Sequence, residues 1–282
     1  MKIFVSTCAY SKLDFYNAAE KLLADGFDYI EVSSGPLHED WEDKLNELAQ
    51  KAQIMLHNYF PPPPTPFVLN IASCDSNLRK KSILFFEKVI DINATINSTY
   101  CGIHAGFRID PNPKELGDVI LKKTIYGKEE AINNFIEGIR HLSRKAKEKG
   151  QRILIENNVL SKANFTTHGV NPLLGVDPEE IVYILDKIGP DVGLLMDVGH
   201  LKVSGETLNF DYANALRELN KYIVGYHISE NNGEVDQHRP LTPKSWFLDL
   251  LDRSKDFCTL ELNNVSRENL KKSMEILKYG LK

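Results

Sequence analysis

Residues 152–157 read RILIEN, so that the carboxylate of Glu156 directly follows Ile-Leu-Ile. A short run of β-branched and aliphatic residues is typical of a strand that is buried on both faces. A buried carboxylate needs a charged partner or a metal ion, because an isolated charge is costly to remove from water. The stretch therefore predicts a buried strand with a functional group at its carboxyl end.

Five further apolar runs end on the same kind of side chain. They are IMLHNY (54–59), YCGIHA (100–105), VGLLMDV (192–198), IVGYHIS (223–229) and CTLELN (258–263). The histidines and acids at their ends are His57, His104, Asp197, His227 and Glu261. A single polar residue at a strand end has ordinary explanations, such as capping the next turn. Six are hard to explain by core packing, and parallel neighbouring strands would bring all six together.

Two more runs, KIFVST (2–7) and YIEVSS (29–34), raise the number of predicted strands to eight. Amphipathic patterns between the strands predict helices over 13–25, 41–52, 76–97, 128–149, 177–188, 209–220, 245–254 and 266–280. Eight strand–helix units in 282 residues are typical of a (β/α)8 TIM barrel, which needs about 250 residues. A doubly wound sheet would carry a glycine-rich loop after its first strand, where STCAYSKLD (6–14) has no glycine. We therefore expect an α/β protein with one TIM-barrel domain over residues 1–282.

Two connections between predicted elements are unusually long. The first, residues 58–73, contains five prolines between Pro61 and Pro66, a stiff polyproline stretch. The second covers residues 106–127. Both follow the carboxyl ends of predicted strands, so we expect them to overhang the end of the barrel where active sites lie. For the proline run 61–66, a substrate wall and a rigid surface loop are equally compatible with the sequence.

Composition excludes several classes of protein. The net charge is −5 with 26% charged residues, which does not indicate a polyanion-binding protein. The four cysteines form no CxxC pair, which favours a reducing compartment over a secreted scaffold. The apolar stretch in MKIFVSTCAY is too short for a signal peptide, and no run approaches a membrane span. We expect a cytoplasmic protein without membrane association; no pattern indicates its oligomeric state.

Three further polar residues extend the candidate site. MDVGH places His200 three residues after Asp197, and EVDQH places Asp236 and His238 shortly after His227. Imidazoles and carboxylates without thiolates suit zinc, manganese, cobalt or iron, and their number allows one to three ions. The nine candidate metal ligands are His57, His104, Glu156, Asp197, His200, His227, Asp236, His238 and Glu261.

Several segments together resemble one superfamily. They are GFDYIEV (26–32), IHAG (103–106), LIENN (154–158), MDVGH (196–200), HISENNGEVDQH (227–238) and TLELN (259–263). They are similar to the xylose isomerase-like TIM-barrel superfamily, which includes tagatose-epimerase-type sugar epimerases, inosose dehydratases and endonuclease IV. The resemblance covers almost the whole chain and implies the barrel fold, but it does not select one activity.

The resemblance to the epimerases implies that Glu156, Asp197, His227 and Glu261 bind a metal ion. The two glutamates would also act as catalytic acid and base on opposite faces of the substrate. A metal ion that holds a carbonyl and the neighbouring hydroxyl acidifies the carbon-bound proton and stabilises the enediolate. A carboxylate then transfers that proton. This implies an isomerase or epimerase, or a dehydratase that begins in the same way, acting on a small carbohydrate or sugar phosphate.

The resemblance to endonuclease IV implies a different activity. That family uses nine ligands for three zinc ions, and all nine candidate ligands have a counterpart there. This makes a multinuclear zinc phosphodiesterase the alternative function.

The loop after the seventh predicted strand contains three acidic residues, Glu230, Glu234 and Asp236, and two basic residues, Arg239 and Lys244. A DNA-binding site would concentrate lysine and arginine, so the acidic character of this loop argues against nucleic-acid binding. A barrel that binds without turnover is a third hypothesis.

Overall fold

The computed structural model describes residues 1–33, 35–121 and 123–279. Parts of three predictions lie outside these residues: Ser34 of the second predicted strand, Gly280 of the last predicted helix and residues 281–282 of the predicted domain. Lys122, within the long connection 106–127, also lies outside them.

Eight parallel strands form one curled sheet. They are β1 (Lys2–Ser6), β2 (Tyr29–Val32), β3 (Gln53–Leu56), β4 (Tyr100–His104), β5 (Arg152–Glu156), β6 (Gly193–Asp197), β7 (Ile223–Ile228) and β8 (Phe257–Leu260). Their order is β3-β2-β1-β8-β7-β6-β5-β4. Cα atoms of β3 and β4, at the two ends of this order, approach within 8 Å, so the barrel is nearly closed. The predicted (β/α)8 fold is confirmed.

The helices described lie between the strands in sequence, except the last, which follows β8. They are α1 (Phe15–Ala24), α2 (Trp41–Lys51), α3 (Ser76–Thr95), α4 (Lys128–Glu148), α5 (Lys162–His168), α6 (Pro178–Ile188), α7 (Val198–Leu208), α8 (Tyr212–Leu219) and α9 (Arg267–Tyr279). Short 3-10 turns occupy Thr7–Tyr10 and Pro113–Glu115. None of the helices in the described ranges is long and apolar enough to cross a membrane.

Side chains alternate between the two faces of each strand, and this alternation aims the polar strand ends into the barrel. Met55, Leu154 and Leu195 belong to a small buried cluster that is separate from the main core, and each lies two residues before a candidate ligand. Phe257 of the same cluster lies four residues before Glu261. The cluster fills the barrel below the ligands, so the barrel is a packed core with a polar end.

The predicted helix over 245–254 is wrong. That segment forms a series of turns, in which Leu248 N donates to Ser245 O and Leu250 N donates to Phe247 O. The Ser245 hydroxyl also accepts from Thr242 N, and such local side-chain hydrogen bonds compete with helix formation.

Two short helices, α5 and α7, were not predicted. Helix α7 begins directly after Asp197, whose carboxylate accepts from His200 N at 2.7 Å. His200 therefore lies in the first turn of a helix and not in a turn between elements. The predicted helix over 209–220 begins only at Tyr212, because Asp211 caps it by accepting from Asn214 N.

We expect Gly225→Ala to lower the free energy of unfolding by about 1–3 kcal/mol. A Cβ atom at Gly225 of β7 would lie 2.5 Å from the ring of Phe257, which is only 1% exposed and has no room to move. Urea denaturation measures the effect. Gly102→Ala in β4 is the matched control, because its Cβ would meet Leu195 Cδ2 at an ordinary 3.4 Å. Equal stabilities of the two variants would contradict this packing argument.

Candidate metal centre

Four side chains at the ends of four adjacent strands form the centre of the site. Glu156, Asp197, His227 and Glu261 each offer a ligand atom within 4.8 Å of all the others, and all four are buried. Asp197 pairs in register with His227, which places both at one level of the barrel. This group therefore comes from strands β5, β6 and β7 and from the residue after β8.

His227 lies at the middle of the group. Its Nδ1 is 3.0 Å from Glu156 Oε1 and 3.1 Å from Glu261 Oε2. Burial alone lowers the pKa of His227, but the surrounding carboxylates, Glu31 first, raise it well above its ordinary value. The imidazole thus balances part of the negative charge that the fold buries here.

Two carboxylate oxygens of this group have no hydrogen-bond partner among the residues described: Glu156 Oε2 and Asp197 Oδ2. Buried polar atoms normally have partners. Burial raises the pKa of Asp197 to about 6, and the nearby acids Asp236 and Glu261 add to that effect. Unpaired oxygens beside an imidazole form a donor set that suits a divalent metal ion, so these residues fit one.

His57 and His104 lie beside this group, at the ends of β3 and β4. His104 Nε2 is 3.3 Å from Glu156 Oε2, without the alignment of a hydrogen bond. His57 Nε2 is 3.8 Å from Glu261 Oε1, and the two imidazole centroids are 6.2 Å apart. All six strand-end residues therefore meet at one end of the barrel.

The remaining three candidates form a second, outer group. Asp236 Oδ2 lies 3.2 Å from His200 Nε2 and 2.8 Å from His238 Nε2, while Asp236 Oδ1 has no partner in the described part of the chain. His200 Nε2 is also 4.0 Å from Asp197 Oδ2, which joins the outer group to the centre. The structure thus brings all nine candidate ligands into one network.

Glu31 of β2 is a member of the site that sequence reasoning missed. It is 2% exposed, with Oε1 2.8 Å from His57 Nδ1 and 3.1 Å from His227 Nε2. Thr259 donates a further hydrogen bond to it. A carboxylate on the far nitrogen of a metal-binding imidazole fixes its tautomer and orientation. The sequence does contain an indication of this role, because Glu31 is an acidic residue within the otherwise apolar strand YIEV (29–32).

A cavity of about 560 Å³ opens beside the site. His104, His200, Asp236 and His238 line one part of it. The connection 106–127 lines another part with Phe107 and residues 115–120. Asn58, Tyr59, Val68 and Leu69 contribute from the connection 58–73. Both long connections therefore lie at the mouth as predicted, but the proline run 61–66 does not line this cavity; the residues on either side of it do.

Comparison with known proteins identifies the family. Residues 19–279 match the family described as xylose isomerase-like TIM barrel. The chain belongs to this family.

Individual relatives of this xylose isomerase-like chain are distant. It is 25% identical over 239 residues to the uncharacterized protein MJ1614 of Methanocaldococcus jannaschii, covering 84% of this chain and 81% of that protein. A D-tagatose 3-epimerase-like protein has a TM-score of 0.73 at 21% identity, covering 99% and 98% of the two chains. The TTHB071 protein of Thermus thermophilus, soaked with ZnCl2, has a TM-score of 0.66 at 19% identity over 100% of both chains. At these identities the solved structures show the shared fold.

We expect Glu31→Gln to weaken the binding of Zn²⁺ by about 10- to 100-fold, because the amide holds the two imidazoles less well than a carboxylate. Calorimetric titration of the metal-free protein measures this affinity. Glu47→Gln is the matched control, since Glu47 forms an ion pair with Lys51 on the surface of α2. Native affinity in Glu31→Gln would show that Glu31 does not orient the imidazoles.

Proposed function

We propose that the protein is a metal-dependent isomerase or epimerase of a small carbohydrate and moves a proton at a carbon next to a carbonyl. One observation carries this proposal: two buried glutamates, Glu156 and Glu261, flank a single imidazole in a group that fits one metal ion. The shared fold of a D-tagatose 3-epimerase-like protein supports it.

Glu156, Asp197, His227 and Glu261 are the residues that would hold the ion. A divalent ion bound there, such as zinc, manganese, cobalt or iron, would polarise the substrate carbonyl and so lower the pKa of the adjacent carbon-bound proton.

Glu156 and Glu261 are in the form that accepts a proton. Burial raises the pKa of Glu156, but the imidazoles of His104 and His227 lower it well below the ordinary range. Burial also raises the pKa of Glu261, but the imidazoles of His227 and His57 lower it below the ordinary range. Both carboxylates are therefore ionised at neutral pH, as a general base must be.

The two glutamates also come from different walls of the barrel. Glu156 ends β5, and Glu261 follows β8, with β6 and β7 between them in the sheet. A single base that returns the proton to the neighbouring carbon gives an isomerase. Two bases on opposite faces of the substrate give an epimerase, and two separate carboxylates favour this second reaction.

A multinuclear zinc phosphodiesterase is the second candidate. The outer group of His200, Asp236 and His238 favours it, because ligands beyond the central four allow more than one ion. The charge of the cavity favours the first candidate, since no lysine or arginine of the described ranges lines it. A phosphodiester would therefore meet neither lysine nor arginine among the described residues of these walls.

We expect Glu156→Gln and Glu261→Gln each to lower the rate of carbon–hydrogen exchange with D2O by about 10²- to 10⁴-fold, the usual contribution of a general acid or base. Mass spectrometry of ketohexoses incubated with the metal-loaded protein measures the exchange, and circular dichroism checks the fold. Glu218→Gln, at an exposed position on α8, is the control and should exchange normally. Full exchange in either active-site variant would show that this glutamate does not transfer the proton.

Elemental analysis of protein purified without chelator should find about one equivalent of divalent metal, held by the central four residues. Asp197→Asn should reduce this value, whereas Asp236→Asn should leave it unchanged. Two to three equivalents of zinc, with a loss in Asp236→Asn, would instead favour the phosphodiesterase. Phosphodiesters, including abasic DNA, would then be the substrates to test.

A further inference from the structure

The cavity at the barrel mouth has two chemically different parts. One part is formed by His104, His200, Asp236 and His238. The other is an apolar wall, which consists of Val68, Leu69, Phe107, Leu116, Val119 and Val235.

Part of the apolar wall is open to solvent. Leu116, Val119 and Val235 are 47%, 39% and 48% exposed. Exposed apolar side chains that line a concave site indicate a surface that a ligand covers. A volume of about 560 Å³ is in the range of small-molecule sites, and the wall shares its cavity with four of the nine candidate metal ligands. The geometry therefore favours one small molecule that contacts both parts.

The wall also has a fixed support. Phe107 pairs with Leu173 in an antiparallel bridge and packs against the small buried cluster that Leu173 forms with Leu160 and Val176. A supported apolar surface retains its shape when a ligand binds, so it discriminates between substituents of different polarity.

Charges near the wall do not suit a phosphate group. Its acidic neighbours, Glu115 and Asp118, line the cavity, and lysine and arginine are absent from the lining residues that the structure describes. Lys123 Nζ bonds Glu115 Oε2 at 2.8 Å and Asp110 O at 3.2 Å. Arg108 donates to the carbonyls of Tyr126 and Asn171. These two cations are thus engaged within the protein.

We propose that the substrate is an unphosphorylated sugar with an apolar substituent, such as a methyl or acyl group, at the end remote from its carbonyl. This inference rests on the proposed function. The carbonyl end of the sugar lies at the polar part of the cavity, where His104 Nε2 is 3.3 Å from Glu156 Oε2, and the substituent lies against the wall of Leu116, Val119 and Phe107. Burial of an apolar group there excludes water from both surfaces, while a phosphate would lose its hydration without gaining a lysine or arginine from the described lining residues.

Four ketohexoses that differ only at carbon 6 test the proposal: 6-deoxy-D-fructose, 6-acetamido-6-deoxy-D-fructose, D-fructose and D-fructose 6-phosphate. Deuterium exchange next to the carbonyl, with the manganese-loaded protein, gives kcat/KM for each. We expect the 6-deoxy and 6-acetamido sugars to exceed D-fructose by about tenfold, as one apolar group does in a matching pocket. The phosphate should be the poorest of the four.

Leu116→Lys adds a cation to the wall and should reverse the order of the 6-deoxy sugar and the phosphate. Leu84→Lys is the matched control, because Leu84 is 48% exposed on α3 and does not line the cavity. Leu84→Lys should leave kcat/KM unchanged for both the 6-deoxy sugar and the phosphate.

The outcomes separate the two proposals. If the phosphate or D-fructose exchanges as fast as the 6-deoxy sugar, the inference about the substituent is wrong and the proposed function stands. If none of the four sugars exchanges although the protein binds the metal ion, the proposed function is wrong, and the inference falls with it.

Discussion

The site depends on one electrostatic arrangement, an imidazole enclosed by three carboxylates inside the barrel. His227 is 1% exposed and lies 3.0–3.2 Å from oxygens of Glu31, Glu156 and Glu261. Removal of isolated charges from water is strongly unfavourable, so such groups remain buried only when they compensate one another or bind a counterion. Three carboxylates and one imidazole make up the central four residues, and Asp197 Oδ2 and Glu156 Oε2 are unpaired in the described part of the chain, so this donor set fits a divalent metal ion.

Strand geometry makes this arrangement rigid, and the connections shape the cavity beside it. The central four residues end or follow strands whose preceding inward residues, such as Leu154 and Leu195, fill the barrel below them. Their directions are therefore fixed by the packed core. The outer group and the apolar wall come instead from α7, the loop after β7 and the long connections. This division is common in TIM barrels, where one scaffold supports many reactions through changes in its loops.

The predictions that succeeded depended on long periodic patterns. The eight strands and the meeting of their polar ends followed from apolar runs that recur with similar spacing. The helix expected over 245–254 failed because local hydrogen bonds of Ser245 and Phe247 stabilise turns there. Helix α7 was missed because its sequence resembles a turn, although Asp197 caps it. Glu31 was missed because it stands within its strand run and not at the end, so only its contacts with His57 and His227 show its importance.

The sequence by itself determined the barrel and the set of polar residues at its mouth, because strand alternation is a local property of the chain. Only the tertiary structure decided which four of nine candidates lie within 4.8 Å, which oxygens are left unpaired, and that Glu31 supports two imidazoles. It also decided the apolar character of the cavity wall, to which residues as far apart as Val68 and Val235 contribute. These properties arise from contacts between distant segments, and those contacts exist only once the barrel has closed.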